Sequence, residues 1–339
     1  MTESQTLILG CAGKSLTSEE KTFYRNERPW GFILFARNVG EPEQIRDLVA
    51  EMRDSVGRQD APVFIDQEGG RVQRLAPPVW PAYPPGRAYG QLASPFARRE
   101  AAWLGARLIA HDLHEVGVDV DCLPVLDVPS PGAHDVIGDR AYGADPATVA
   151  SLGRAAAEGL LSGGVLPVVK HIPGHGRAGA DSHHDLPVVD APLAELEARD
   201  FAPFRVLADM PLAMTAHVVF TAIDAGRPAT TSPEVISRII RGAIGFKGLL
   251  MSDDLSMKAL RGDFAARARD SIAAGCDVVL HCNGERGEME QIAAATPLLN
   301  GAAARRAEMA LGRILETVEP LDVAAARARL AALLTPAVA

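Results

Sequence analysis

The sequence predicts an α/β fold, a single TIM-type (β/α)8 barrel, and three observations carry that reading. Short apolar runs rich in Leu, Ile and Val alternate with longer amphipathic stretches from one end of the chain to the other. Several of those stretches stop at a glycine that hands over directly to the next apolar run, the signature of repeated βα units. The runs also lack clean apolar–polar alternation, as strands buried on both faces do.

In chain order the strand candidates are Thr6–Leu9, Gly31–Phe35, Val63–Asp66, Val118–Leu126, Val165–Lys170, Leu212–Ala216, Gly248–Ser252 and Asp277–His281. Eight such units favour a closed barrel over an open doubly wound sheet, and no G-x-G-x-x-G follows the first run. Between the runs lie helical patterns. Glu41 to Val56 carries Ile45, Leu48, Val49 and Met52 at helical spacing. Pro95 to Val116 opens with Ser94 as N-cap, and Asp145-Pro146 and Ser232-Pro233 open two more helices in the same way. The handover glycines are Gly57, Gly117, Gly164, Gly245 and Gly275. Leu75 to Gly86 breaks the rhythm with Pro77, Pro78, Pro81, Pro84 and Pro85 beside Trp80 and Tyr83, and predicts a long ordered loop at the C-terminal rim of the barrel. From about residue 302 an Ala/Arg/Leu-rich stretch predicts terminal helices on the outside. No linker-like shift divides the chain, so residues 1–339 are expected to form one catalytic domain.

Composition excludes several classes. The 34 Lys plus Arg and 43 Asp plus Glu give a net charge of −9, which disfavours nucleic acid or an anionic membrane as the main partner. Hydrophobic residues make up 47%, enough for a large core. No apolar run approaches the roughly 18–20 residues of a membrane span. Cys11, Cys122, Cys276 and Cys282 show no C-x-x-C spacing and are expected to be buried free thiols, which suits a reducing compartment. Met1 to Thr6 lacks a basic segment leading into a long apolar one, so no signal peptide is expected and the location is expected to be cytoplasmic.

In a barrel, chemistry gathers where the strands end. Those ends read Asp66-Gln67-Glu68-Gly69-Gly70-Arg71, then Asp127, Lys170-His171, His217 and Ser252-Asp253-Asp254, each an apolar run stopping at charged or titratable groups. That pattern points to an enzyme. The densest stretch runs from Lys170-His171-Ile172-Pro173-Gly174-His175-Gly176 through Arg177 to Ala180, then Asp181-Ser182-His183-His184-Asp185. Three readings stand for it. Its histidines are those of a solvated loop; or His171, His175, His183 and Asp185 ligate a metal, although Pro173 and Gly174 deny the first two a helical spacing; or Asp181 and His183, one residue apart and so on one side of an extended turn, form an acid/base pair in which the carboxylate fixes the imidazole tautomer. Asp253 closes a buried strand and is placed for chemistry, whereas Asp254 suits a cap on the next helix.

Together these segments resemble the bacterial β-N-acetylglucosaminidases of glycoside hydrolase family 3, of the single-domain cytosolic type used in cell-wall recycling. The matching residues are Asp66-Gln67-Glu68-Gly69-Gly70-Arg71-Val72-Gln73-Arg74, Gly138-Asp139-Arg140, Lys170-His171-x-Pro173-Gly174-His175-Gly176, Asp181-Ser182-His183 and Ser252-Asp253-Asp254-Leu255-Ser256-Met257. The resemblance implies a retaining exo-acting hydrolase that removes non-reducing terminal N-acetylglucosamine. Asp253 would be the nucleophile and His183 the general acid/base with Asp181 as its partner. Asp66, Arg74, Arg140, Lys170 and His171 would hold the sugar, and no metal or other cofactor would be needed. The expected partner is an N-acetylglucosamine-containing glycoside, with a monomer favoured. Two alternatives keep the same barrel: a phosphorylase that uses phosphate in place of water, and a metal-dependent hydrolase.

Overall fold

Among the residues described by a computed structural model, 3–182, 185–314 and 318–335, eight parallel strands close into a barrel. They are β1 (Gln5–Leu9), β2 (Pro29–Leu34), β3 (Val63–Ile65), β4 (Val120–Asp121), β5 (Leu166–Ile172), β6 (Leu212–Thr215), β7 (Leu249–Asp254) and β8 (Val278–His281). Each strand pairs with its neighbours in sequence, and β8 returns to β1 through Leu7↔Val279 and Leu9↔His281. Parallel strands need crossover helices, which cover the outer face and leave both faces dry. Accordingly β2, β5, β6 and β8 are buried at every residue. Alternation along β1 shows the two layers. Ile8 packs with Ile33, Phe64, Val168 and Met251 inside the barrel, whereas Leu7 and Leu9 pack outward with Phe23, Ile45 and Met52.

The helix signals hold. The helix Pro42–Val56 buries Ile45, Leu48, Val49 and Met52. Asp145 accepts from the Thr148 N–H at 2.8 Å to open Pro146–Ser162. Ser232 accepts from the Val235 N–H at 3.2 Å to open a helix whose turns widen to i→i+5 spacing over Val235–Ala243. Gly57, Gly117, Gly164, Gly245 and Gly275 all have positive φ, the conformation in which a side chain would clash. The terminal helices Gly301–Leu311 and Val323–Leu334 dock outside, the second tied to helix Pro95–His114 by Arg327–Asp112 at 3.0 Å and Arg329–Glu100 at 2.7 Å.

Two strands differ from expectation. The fourth was expected over Val118–Leu126 but pairs regularly only at Val120–Asp121. Pro124 has no N–H to give, and beyond it the chain follows β5 through irregular bonds, such as Leu126 N–H to Lys170 O at 2.7 Å. The seventh runs past Ser252 to Asp254 after a register shift that follows Met251. Small sheets that the sequence did not signal decorate the rim: the hairpin Gln67–Gly69/Val72–Gln73, and Val188–Val189 with Val219–Phe220 and Asp224–Pro228. The proline-rich loop braces that hairpin, for Tyr83 O accepts from Gly70 N–H at 2.8 Å while Tyr83 O–H donates to Asp112 at 2.6 Å. The four cysteines are buried free thiols, and among the described residues no helix is long and apolar enough to cross a membrane.

Candidate active site

A cavity of about 200 Å³ opens where the strands end. One wall is an ion-pair network assembled from three places in the chain. β3 delivers Asp66, the hairpin after it Glu68, and β5 delivers Lys170, whose ammonium lies 2.8 Å from Asp66 and 2.7 Å from Glu68. Arg140 closes on Glu68 with two parallel bonds of 2.8 Å, and Arg74 reaches Asp66 at 3.1 Å. The two arginines sit on loops, and main-chain ties bring those loops in: Arg74 N–H donates to Gln67 Oε1 at 2.8 Å, and Arg71 donates to the carbonyls of Asp135 and Val136, both at 2.8 Å.

Three cations thus face two carboxylates in a buried setting, and that excess sets the protonation states. Burial alone would raise both acids, but Lys170 and Arg74 hold Asp66 far below the usual carboxylate range. Burial is likewise outweighed at Glu68, where Arg140 and Lys170 lower it to about 2. Lys170, though only 2% exposed, stays charged because Asp66 and Glu68 more than offset its desolvation. Beneath them Asp121 behaves differently. Burial pushes its carboxyl well up, and its Oδ1 accepts from Gln67 N–H at 2.9 Å. The wall is a pre-ordered set of charged donors and acceptors, suited to a neutral ligand rich in hydroxyls.

His171 follows Lys170 into the same cavity. Its Nδ1 lies 2.7 Å from the buried carboxylate of Asp127, which also accepts from the His175 N–H at 2.6 Å. Despite burial, His171 holds Asp127 below its ordinary value. His175 faces Ser182 Oγ at 3.2 Å, and burial followed by the neighbouring His171 lowers it to about 4, so it is a neutral ring at physiological pH. Gly176 lies so close to Val128 that a Cβ would come within 2.2 Å of the Val128 carbonyl oxygen. Ser130 N–H to Gly176 O at 3.0 Å and His134 N–H to Ala178 O at 2.9 Å complete the anchorage of this stretch. His171 and His175 thus each have a ring nitrogen facing a protein partner, and the described residues contain no group of three metal-ligating side chains.

Across the cavity β7 ends in Asp253 and Asp254. β3 and β7 lie four strands apart in a ring of eight, so Asp253 stands opposite Asp66. The Asp254 N–H donates to Asp253 Oδ1 at 2.8 Å. Asp254 itself shapes the following turn, accepting from Ser256 N–H at 3.0 Å, Ser256 Oγ at 2.5 Å and Cys282 N–H at 3.2 Å. His217, another strand-end residue, is committed to structure between Thr230 Oγ1 at 2.7 Å and Asp254 O at 3.0 Å. Val136, Ile137, Met214, Met257 and Leu280 supply apolar surface.

Asp66, Arg74, Arg140, Lys170, His171 and Asp253 therefore line one cavity. Asp181 does not line it, although its neighbour Ser182 does, and His183 lies outside the described residues. Glu68 and Asp127 belong to the site without having been singled out as site residues. Glu68 sits two residues after Asp66, in the hairpin that follows β3, and Asp127 ends the apolar run that the sequence offered as the fourth strand, six residues past the end of β4.

The family model described as "Glycosyl hydrolase family 3 N terminal domain" matches residues 12–316. The chain belongs to glycoside hydrolase family 3. A family relative, a "Beta-hexosaminidase" of Bordetella parapertussis, is 40% identical over 283 residues, spanning 82% of this chain and 79% of that one. Another from Methylococcus capsulatus is 42% identical over 275 residues, covering 80% of each. Among solved family structures, native NagZ from Neisseria gonorrhoeae superposes with a TM-score of 0.86 at 35% identity, covering 98% of this chain and 99% of that one. The same Neisseria protein has been solved in complex with N-trifluoroacetyl-D-glucosamine, at 34% identity with the same coverage and a TM-score of 0.86. This family-3 barrel is a glycoside hydrolase of the β-hexosaminidase type.

Proposed function

We propose that this hydrolase is a retaining exo-β-N-acetylglucosaminidase, one catalytic domain over residues 1–339, that removes non-reducing terminal N-acetylglucosamine from muropeptides in the cytoplasm. The observation that carries the reading is the division of the cavity: a fixed network of charged hydrogen-bonding groups on the β3–β5 side, and Asp253 across from it on β7. The sugar-analogue complex of the Neisseria protein supports the same sugar here.

In the first step the Asp253 carboxylate attacks the anomeric carbon as the glycosidic bond breaks, and His183 gives its proton to the departing oxygen. In the second, His183 takes a proton from water, the water oxygen attacks the same carbon, and the ester to Asp253 breaks. Two inversions retain the β configuration. Such enzymes commonly use a carboxylic acid for the proton transfers. An imidazole, ordinarily near 6.5, works close to neutral pH and in its neutral form does not repel the anionic nucleophile. Asp181, two residues before His183, would fix its tautomer. Asp66, Arg74, Arg140 and Lys170 would bind sugar hydroxyls, and His171 would join them through Nε2 because Asp127 engages Nδ1. No step requires a metal or an organic cofactor.

The test is turnover of an aryl N-acetyl-β-glucosaminide beside the matching β-glucoside, with and without phosphate. Hydrolysis of the first alone, with free N-acetylglucosamine as product, is expected. Equal turnover of both, or a sugar 1-phosphate as product, would overturn the reading.

A further inference from the structure

Phe35 lines the sugar cavity as the residue that follows β2, and the catalytic reading leaves it unused. Leu34 and Ile65 are register partners, so Phe35 stands beside Asp66, the residue that follows β3. Two guanidiniums lie over its ring. The central carbon of Arg74 is 5.0 Å from the ring centroid, and that of Arg37 is 5.3 Å from it. Both distances fall within the reach of a cation–π attraction.

The two cations are held differently. Arg37 Nε donates to Cys11 O at 2.9 Å and its Nη2 donates to Cys282 O, which ties it to the chain just past β1 and β8. Gly10 makes room for it, since a Cβ there would come within 2.9 Å of Arg37 Nη2. The turn that carries the ring is fixed by Asn38, whose Oδ1 accepts from Phe35 N–H at 2.9 Å. The Arg74 side chain has no such framework. Among the described residues its guanidinium reaches Asp66 through Nη2 alone, at 3.1 Å, and its buried Nε has no partner. Arg140, by contrast, grips Glu68 with two parallel bonds. A single ion pair places a guanidinium without fixing its plane, so the plane of Arg74 is left to the Phe35 ring.

We infer that Phe35 is a positioning residue for the sugar: its ring, backed by Arg37, orients the Arg74 guanidinium toward the hydroxyls of bound N-acetylglucosamine. The inference rests on the exo-β-N-acetylglucosaminidase reading, in which Arg74 binds the sugar.

The experiment measures kcat and KM on an aryl N-acetyl-β-glucosaminide, and the inhibition constant of free N-acetylglucosamine. It uses the full chain and its Phe35→Leu, Phe35→Tyr, Arg74→Gln and Phe35→Leu/Arg74→Gln variants. Phe35→Leu is expected to raise KM and the inhibition constant together by roughly tenfold, the size of a desolvated cation–π contact, with kcat within about twofold. Phe35→Tyr keeps the ring and should restore both constants. In the Arg74→Gln background Phe35→Leu should cost nothing further, because the group it orients is gone. Should Phe35→Leu melt too low to assay, Phe35→Met removes the ring in its place. An unchanged KM, a Tyr variant as damaged as the Leu one, or losses that simply add in the double variant would overturn the inference. Failure of the wild type to cleave the aryl N-acetyl-β-glucosaminide would instead remove the reading beneath it.

Discussion

Replacing Glu68 with Gln deletes one charge from the sugar-side network while keeping the side chain's volume. Arg140 then loses its bidentate carboxylate and Lys170 keeps only Asp66. Glu68 titrates at about 2 instead of its ordinary 4.5, a difference worth about 3 kcal/mol. Its side chain is only 4% exposed, so solvent screening takes little from that figure. Because the folded-state value is the lower one, the stabilisation is fully present above the unfolded value and drains away as pH falls toward the folded one. By about pH 3.5 roughly two fifths of it has gone. Urea unfolding of wild type and Glu68→Gln at about pH 7 should show a gap of about 3 kcal/mol, and at about pH 3.5 a gap narrower by roughly two fifths. A gap of the same size at both values would mean that Glu68 stabilises through shape or packing, and the electrostatic reasoning would fail.

His183→Ala should damage substrates with poor leaving groups far more than activated aryl glycosides, because only the former need a proton as the bond breaks. Equal losses on both would argue for a structural role. Asp127→Asn should raise KM more than it lowers kcat, since Asp127 orients His171 toward the sugar without touching the reacting carbon. An unchanged KM would remove His171 from the sugar site. Asp254→Asn should cost far less activity than Asp253→Ala, for Asp254 shapes the turn through Ser256 and Cys282. The reverse order would shift the nucleophile by one residue.

The barrel was legible because burial on both faces leaves a strong mark, as in the unbroken apolar run of β2. The strand-end rule likewise picks out Asp66, Lys170, His171 and Asp253 from position alone. Arg74 and Arg140 are not readable that way, because they reach the cavity from loops whose paths depend on tertiary bonds such as those from Arg71 to the 135–136 carbonyls. Register within β7 was also hidden. A period-two reading assumes a regular strand, and the pairing shifts between Met251 and Asp254. Pro124 shortens β4 for a reason that is visible in sequence, the missing N–H, although the apolar run masks it.

The most direct test of the catalytic assignment is to trap the intermediate. A 2- or 5-fluoro derivative of the activated sugar slows hydrolysis of the glycosyl ester, and peptide mass spectrometry then locates the label. The label should sit on Asp253, and turnover of the unmodified substrate should release the β anomer first. A label on Asp254 or any other carboxylate, or release of the α anomer with no label, would contradict retaining catalysis through Asp253.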